Sequence, residues 1–383
     1  MTTSEVQRAK VVLFADVLSG FGGIETYLDA LARRLHFEKR PFCVAVSLNG
    51  HAPFLDDLEK LGVEVYRQPR VLGDRFHIRQ RLLVQSVVRR LNPGDWVFCV
   101  RQPMPEVYLP LVIASHRRGA KVAASWIYTP EFLPLPPGRK GKLFQAAIAQ
   151  TDVVISVSNA GVSQYSESYG YNGPVEVVRY HNRQFFVEPV PMPRAPPYAI
   201  GYVGRIDIYQ KNLDTILSAF GILSENRDDV VLNIYGGGQD EARFAKMVDD
   251  AGLRERVCIH GRFQHDRDLP RIMRENHLFV YTSRFEGGPC FSLLEMLQAG
   301  RFVVTSPVGG IPDIYSGRPD IGDLVAPGDV LAIARALEGA IERIAAGSID
   351  PEVIRATYVD NFSENIAHRR WLEALGLEEL EPV

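Results

Sequence analysis

The sequence predicts an α/β protein built from two doubly wound domains, each with a parallel sheet. Short apolar runs rich in β-branched residues alternate with helical patterns along most of the chain. Such alternation is typical of parallel sheets that are covered by helices on both faces. With 383 residues, the chain is also too long for one ordinary hydrophobic core. A proline-rich segment interrupts the alternation near the middle of the chain and suggests the division.

The individual elements follow from the period of the apolar residues. The predicted strands of the first half are KVVLFADV, FCVAVSL, VEVYR, WVFCV, KVAASWI, DVVISVS and VEVVRY. Those of the second half are YAIGYVG, VVLNIYG, VCIHG, HLFVYTS and RFVVTS. Two of the helices predicted between them are marked by the apolar faces Ile24, Leu28, Leu31, Leu35 and Leu213, Ile216, Leu217, Phe220.

Prolines mark the predicted boundary between the domains. Five of the ten residues 188–197 are prolines, which cannot continue a helix or a central strand, so this segment is expected to be a stiff linker. The predicted parts are an N-terminal domain, a linker, a C-terminal domain and a C-terminal helix that packs back on the first domain. Their predicted bounds are 1–185, 186–197, 198–360 and 361–383.

Composition narrows the functional classes. The formal net charge of −3 argues against generic binding of nucleic acid. The N-terminus lacks the apolar core of a signal peptide, and the sequence contains no run of about 18 apolar residues. The four cysteines are widely spaced and form no CxxC pair, so neither a disulfide framework nor a metal site is expected. These features predict a cytoplasmic protein.

Ligands of open parallel sheets bind beyond the carboxyl ends of the strands, and three predicted loops at such positions are unusual. The first, SGFGGIETY (19–27), places Gly22 and Gly23 at a helix N-terminus, where the backbone can approach an anion. A tight turn is the alternative interpretation. The loop fails the dinucleotide fingerprint GxGxxG because Glu25 stands where the last glycine is needed, which argues against a nicotinamide dehydrogenase.

The second loop opens the C-terminal domain with GYVGRIDIYQKNLD. Gly204 ends the predicted strand, Arg205 follows it, and Lys211 stands at the mouth of the next helix. A guanidinium and an ammonium at one helix entrance suit a diphosphate. The alternative is that both are solvated surface residues.

The third loop, RFEGGP, leaves the buried strand HLFVYTS and enters the helix CFSLLEMLQAG. Backbone N–H groups around Gly287, Gly288 and Phe291 are available to hydroxyls or phosphates. Glu286 and Glu295 frame the turn, and a carboxylate accepts hydrogen bonds from the vicinal hydroxyls of ribose or hexose. The pattern therefore suggests a nucleotide-sugar ligand.

Four segments together resemble the retaining GT-B glycosyltransferases of family 4. They are GGIETYLDALARRL, GRIDIYQKNLD, RFEGGPCFSLLEMLQAGRFVVTSPVGGIPDI and LVAPGD, in the family's order. The resemblance implies two Rossmann-like domains that face each other across a cleft. The first domain is expected to bind the acceptor and the second the nucleotide-sugar.

The resemblance also implies residue roles. Arg205 and Lys211 would hold the diphosphate, Glu295 the ribose hydroxyls and Glu286 the donor hexose. The remaining donor contacts that it implies or that the loops offer are Gly22, Gly23, Gly204, Arg262, Gly287, Gly288 and Phe291. Among these, Gly22 and Gly23 would close over the phosphate, and the HGRF loop that contains Arg262 would lie beside the base.

The sequence departs from the family pattern at two places. Eight residues separate Glu286 from Glu295, whereas seven are usual in the family. Many members carry a histidine after a late strand of the first domain, and the matching stretch AASWIYTPEF has none. The candidates for the acceptor side at this position are Trp126, Tyr128 and Thr129.

Three further signals are weighed against simpler explanations. Asp266 and Asp268 form a DxD pair, but they precede a helix that an aspartate would cap, so no metal ligand is expected. Cys290 is interpreted as a packing residue. Residues 67–90 hold seven arginines and one acid among apolar residues. This stretch is either a solvated helix face or a peripheral contact with an anionic membrane at its inner face.

These observations predict a metal-independent, retaining hexosyltransferase without a cofactor, whose donor substrate is a nucleoside diphosphate sugar. The expected acceptor is a glycan, a lipid-linked sugar or a small molecule, in the assembly of cell-surface polysaccharide or glycolipid. Two alternatives stay open at this point. One is a phosphorylase or nucleotide-sugar epimerase on the same scaffold, and the other is a non-catalytic homologue that binds nucleotide or glycan.

Overall fold

The computed structural model describes residues 8–18, 22–48, 52–68, 76–127, 134–179 and 183–378. The chain divides into two compact units. The first comprises Met1–Arg183 with Glu364–Val383, and the second comprises Gln184–Ser363.

The first unit is a parallel sheet with helices between its strands. Its described strands are β1 (Val11–Leu18), β2 (Phe42–Leu48), β3 (Val65–Arg67), β4 (Trp96–Cys99), β5 (Lys121–Trp126), β6 (Val153–Ser156) and β7 (Val175–Val177). Its helices before the domain boundary are α1 (Gly23–Phe37), α2 (Pro53–Lys60), α3 (Phe76–Val88), α4 (Pro105–His116), α5 (Gly138–Ile148) and α6 (Asn159–Tyr169). The strand order is β3-β2-β1-β4-β5-β6-β7, and each neighbouring pair is parallel.

The second unit repeats this architecture. Its described strands are β8 (Tyr198–Val203), β9 (Val230–Tyr235), β10 (Val257–Gly261), β11 (Leu278–Tyr281), β12 (Phe302–Thr305) and β13 (Gly322–Leu324). Its helices are α7 (Ile208–Lys211), α8 (Leu213–Asn226), α9 (Glu241–Asp250), α10 (His265–Glu275), α11 (Phe291–Gln298), α12 (Pro312–Tyr315), α13 (Val330–Ala345) and α14 (Pro351–Phe362). The order is β10-β9-β8-β11-β12-β13, all parallel, and the two sheets confirm the predicted fold class.

The strand orders explain where sites can form. In each sheet the order reverses once, between β1 and β4 in the first unit and between β8 and β11 in the second. The loops that leave two such strands run to opposite faces of the sheet and leave a crevice at its carboxyl edge. The sequence pattern singles out the loops after β8 and β11 at the second crevice, and at the first crevice only the loop after β1.

The core of the first unit surrounds Trp126, at the end of β5. Its side chain is fully buried, and its ring contacts those of Tyr165, Tyr169 and Tyr171 at centroid distances of 4.5, 5.4 and 5.5 Å. Edge-to-face arrangements of this kind stabilise a core beyond the apolar area that they bury. The placement favours a packing role for Trp126 over contact with an acceptor.

The proline-rich segment predicted as a linker (186–197) falls within the second unit. Its backbone is held there by Arg301, which is fully buried and immediately precedes β12. The guanidinium donates to the carbonyls of Val190 and Pro191 at 2.7 Å each, and to those of Met273 and Asn276 at 2.8 to 3.1 Å. Burial lowers the pKa of Arg301 to about 10, so the side chain remains charged at neutral pH.

The C-terminal helix α15 (Glu364–Leu375) groups with the first unit. The ring of Trp371 packs edge-on against Phe98 of β4 at 5.2 Å. His368 and Glu38 lie 2.8 Å apart through Nε2 and Oε2, and Arg34 donates to Asn365 at 2.7 Å. Within the described residues, no helix combines the length and apolar character needed to cross a membrane.

Candidate active site at the carboxyl edge of the second sheet

Two glycines bring the loops of the second sheet close together at its carboxyl edge. A Cβ on Gly236, after β9, would lie 1.8 Å from the carbonyl oxygen of Gly204, after β8. A Cβ on Gly309, after β12, would lie 2.1 Å from the carbonyl oxygen of Glu286. No side chain fits at either distance, so glycine is required where these backbones meet. The backbone at Gly309 therefore packs directly against the loop that carries Glu286.

Lys211 and Glu286 meet at this edge. Lys211 ends α7, whose first turn is capped by Asp207, and Glu286 lies in the loop between β11 and α11. The ammonium of Lys211 donates to Glu286 Oε1, and the two side chains are only 9% and 10% exposed. A buried ion pair is stable only where hydrogen bonds satisfy its remaining polar atoms. The two sequence-predicted residues therefore form one cluster.

Tyr281, the last residue of β11, completes the cluster. Its hydroxyl accepts from Lys211 Nζ at 2.7 Å and donates to Glu286 Oε1 at 3.1 Å. Its ring stacks on Tyr202 at 6.0 Å, and burial raises the pKa of both phenols well above their ordinary value, so both stay protonated. Sequence reasoning missed Tyr281, because in HLFVYTS it resembles any other core residue of a strand.

Arg205 has partners different from those of Lys211. Its guanidinium binds the side-chain amide of Gln210 and lies 3.8 Å from Asp207, and its side chain is 58% exposed. The loop before α7 thus presents a solvated cation, whereas the end of the same helix presents a buried one. Of the two cations predicted to hold a diphosphate, Lys211 is the one that the structure brings together with Glu286.

Glu295 lies on α11, beyond the glycine turn, and is 1% exposed. Its Oε1 is 3.3 Å from His265 Nε2, while its Oε2 is buried and has no hydrogen-bond partner among the described residues. A buried carboxylate oxygen without a donor is costly, so this atom is suited to hydroxyl groups of a ligand. His265, flanked by the Phe263 ring at 4.9 Å, is a neighbour that sequence reasoning missed.

The loop from 282 to 290 is anchored near its first residues. Arg284 donates its backbone N–H to Gln210 at 2.9 Å and its guanidinium to Asp214. At the other end, burial and the nearby Glu286 carboxylate raise the pKa of the Cys290 thiol to about 12. The thiol is therefore neutral near pH 7 and unsuited to act as a nucleophile. Gly287, Gly288 and Phe291 lie in the same loop and at the start of α11.

The remaining predicted residues of this unit lie around β10 and α10. Arg262 is exposed, and its side chain lies over Gly237, where a Cβ would be 2.6 Å from Arg262 Cγ. Asp268 accepts from the backbone N–H of Gln264 at 2.8 Å, and mainly the hydrogen bond from Arg267 lowers its pKa to about 2. The prediction that Asp266 and Asp268 precede the helix is wrong, because α10 begins at His265 and its N-cap is Gln264. Asp268 lies inside the helix and binds back to the N–H of that N-cap residue. The described residues contain no group of three or more histidine, cysteine or acidic side chains placed to hold a metal.

In the first unit, Gly22 is the N-cap of α1, and its carbonyl accepts from the Thr26 backbone at 3.1 Å, with Gly23 as the first helical residue. Tyr128 and Thr129 lie outside the described residues.

A second polar cluster, which sequence reasoning missed, lies at the crevice between β1 and β4. Asp16 is 1% exposed, accepts from Met104 N–H at 2.7 Å and lies 3.9 Å from Arg101. Gln80 donates to the Asp16 carbonyl at 2.7 Å. Burial raises the pKa of Asp16, and the charge of Arg101 partly offsets this effect. The first unit thus also has polar groups at its carboxyl edge.

Comparison with known proteins identifies the family of the chain. Residues 197–343 match the family model described as "Glycosyl transferases group 1". The O-antigen chain mannosyltransferase B of Escherichia coli is 30% identical over 340 residues, which cover 82% of this chain and 85% of that protein. One component of the phosphatidylinositol N-acetylglucosaminyltransferase of Homo sapiens is 26% identical over 161 residues, which cover 42% of this chain. The matched segment spans 32% of this human protein. The corresponding protein of Arabidopsis thaliana is 25% identical, and the matched segment spans 46% of its length.

Solved structures confirm the architecture. The apo form of the lipopolysaccharide outer core galactosyltransferase WaaB superposes with a TM-score of 0.71 at 18% identity, covering 96% of this chain and 99% of that chain. Anabaena Alr3699/HepE in complex with UDP superposes with a TM-score of 0.74 at 18% identity, with the same coverage. The fold and the sequence match together define a GT-B glycosyltransferase. The chain belongs to the glycosyl transferases group 1 family.

Proposed function

We propose that this glycosyltransferase moves a hexose from a nucleoside diphosphate sugar to a glycan or lipid-linked acceptor, with retention of the anomeric configuration, as in family 4. The observation that carries the proposal is the edge of the second sheet, where the Lys211–Glu286 pair and the open carboxylate oxygen of Glu295 are both buried. This arrangement offers a cation for a diphosphate and two carboxylates for the hydroxyls of two sugar rings.

The proposed chemistry is electrostatic. Lys211 and Arg205 neutralise the charge that develops on the departing diphosphate, and removing one such group typically costs about 100–1000-fold in rate. A protein nucleophile is not required by this scheme, because the leaving phosphate itself takes the proton of the acceptor hydroxyl. The neutral thiol of Cys290 agrees with that division of roles.

The class of donor and acceptor is supported by the relatives. Their names describe transfer of mannosyl, N-acetylglucosaminyl and galactosyl groups, and two of them refer to the O-antigen chain and to phosphatidylinositol. We infer a hexose or N-acetylhexosamine donor and a role in polysaccharide or glycolipid assembly.

A lipid-linked acceptor would bring the first unit to a membrane. The basic stretch 67–90 is the proposed contact, and its residues 69–75 lie outside the described part of the chain. On α3, the side chain of Leu82 is 44% exposed, whereas Arg67 before the helix is paired with Asp56 and Glu59 at 2.7 and 2.8 Å. The proposed surface is therefore the helix itself, where the exposed Arg81 lies next to Leu82.

Substitution of the two glutamates tests the proposal. Glu295→Ala is expected to weaken binding of free nucleoside diphosphate about tenfold or more, because it removes hydrogen bonds to the ribose. Glu286→Ala is expected to leave that binding unweakened while transfer collapses, because the hexose is the only part of the ligand that its carboxylate contacts. The substitution also releases Lys211, its partner in the structure, for the diphosphate. Calorimetric titration with UDP, GDP and ADP, alongside transfer rates, measures both effects.

The exposed Glu342 on α13 provides a matched control, since Glu342→Ala should change neither quantity. If Glu286→Ala loses as much diphosphate affinity as Glu295→Ala, the assignment of the two roles is wrong. A shift of register caused by the extra loop residue would have this effect.

Metal independence is a separate prediction. Since Lys211, Arg205 and backbone dipoles handle the charge of the leaving group, transfer activity should survive an excess of EDTA. Activity that is abolished by chelation and restored by Mn²⁺ or Mg²⁺ would instead require carboxylate ligands, with Asp266 and Asp268 as the first candidates for substitution.

A further inference from the structure

Tyr281 contacts both members of the Lys211–Glu286 pair through the same atom. Its hydroxyl lies 2.7 Å from Lys211 Nζ and 3.1 Å from Glu286 Oε1, and the side chain is buried. We propose that Tyr281 is a positioning residue, which holds Lys211 and Glu286 so that the ammonium can turn to a diphosphate without leaving the carboxylate unpaired. This inference rests on the proposed function.

The direction of each hydrogen bond follows from the chemistry of the groups. An ammonium has donors only, so the phenol oxygen accepts from Lys211. A carboxylate accepts only, so the single phenol proton points to Glu286. Because burial keeps this phenol protonated, the hydroxyl cannot reverse its role at neutral pH. Tyr281 thus acts as a neutral bridge between two opposite charges.

The bridge matters when an anionic ligand arrives. In the structure as it stands, Glu286 occupies the position nearest to the Lys211 ammonium. A diphosphate that draws the ammonium away would leave the carboxylate buried, at 10% exposure, without a cation. The phenol keeps one hydrogen bond on Glu286 and one on Lys211 during that change, which lowers the cost of separating the pair.

Phenylalanine at this position keeps the ring and removes the bridge. The stack on Tyr202, at 6.0 Å and 9°, needs only the ring, so Tyr281→Phe should fold normally. The diphosphate to be tested is the one among UDP, GDP and ADP that the native protein binds most tightly, and we expect the variant to bind it about tenfold more weakly. In transfer assays, we expect kcat to fall by a larger factor than KM rises. The matched control is Tyr315→Phe, since Tyr315 is 2% exposed and its hydroxyl has no hydrogen-bond partner among the described residues.

A double-mutant cycle with Lys211→Gln separates positioning from general loss of structure. If Tyr281 acts through Lys211, then adding Tyr281→Phe to Lys211→Gln should cause little further loss of diphosphate affinity. Additive losses, or a Tyr281→Phe variant that behaves like Tyr315→Phe, would overturn the positioning role while leaving the donor site intact. Native protein that binds none of the three diphosphates would overturn the proposed function and this inference together.

Discussion

Replacing Lys211 with glutamine is expected to lower the rate of hexose transfer by about 100-fold or more. Lys211 is the buried cation of the site, with a side chain 9% exposed, and its charge is not screened by water as that of Arg205 is. Arg205→Ala is therefore expected to have a smaller effect, of about tenfold. Transfer rates at saturating donor, with kcat and KM measured separately, test both values.

Two controls accompany this prediction. Glutamine retains an amide that can donate to Glu286, so the folded state should survive, and an unchanged thermal unfolding midpoint would show this. Lys246, 73% exposed on α9, is paired only with Asp250 in the described structure, and Lys246→Gln should leave transfer unchanged. A Lys211→Gln variant with native kcat would remove the ammonium from the mechanism.

Replacing Arg301 with methionine is expected to lower the free energy of unfolding by about 3 kcal/mol or more. Four backbone carbonyls, those of Val190, Pro191, Met273 and Asn276, would lose their charged donor at once. Methionine has a similar length but no donor, so these acceptors would lose their partner, and three of them belong to the buried residues Val190, Met273 and Asn276. Denaturant unfolding of the full chain measures the change.

The effect should be local to the second unit. Limited proteolysis of Arg301→Met should cut near residues 190–193 earlier than in the native protein, because the segment loses its anchor. Arg254→Met, at a side chain 75% exposed, is the matched control and should unfold like the native protein. Native stability of Arg301→Met would show that the segment is held by other contacts.

Much of this molecule follows from its sequence pattern, because the period of apolar residues indicates most strands locally. The short strand β13 is not among the predicted strands. The parallel sheets follow from alternation alone, and the loops after β8 and β11 are recognisable because glycines and charges interrupt apolar runs. Lys211, Glu286 and Glu295 are predicted as site residues in this way. Their roles toward a ligand stay predictions.

The residues missed by sequence reasoning depend on contacts between distant segments. Tyr281 bridges two charges only because strand order places β11 beside β8. Asp16 and Arg101 meet because β4 lies next to β1. The prolines of 186–197 indicate a linker, whereas Arg301, more than a hundred positions away, ties two carbonyls of that segment to the second unit. No local pattern encodes such pairings.

Acceptor-dependent release of nucleoside diphosphate tests the central claim most directly. The native protein would be incubated with UDP- and GDP-linked hexoses and N-acetylhexosamines, with and without glycan and lipid-linked acceptors. We expect one donor to release its diphosphate at a rate that rises with the concentration of one acceptor class. We also expect the NMR signal of the anomeric proton to show that the product has the same anomeric configuration as the donor. Release that proceeds equally without any acceptor, or a product of inverted configuration, would contradict the proposed retaining transfer.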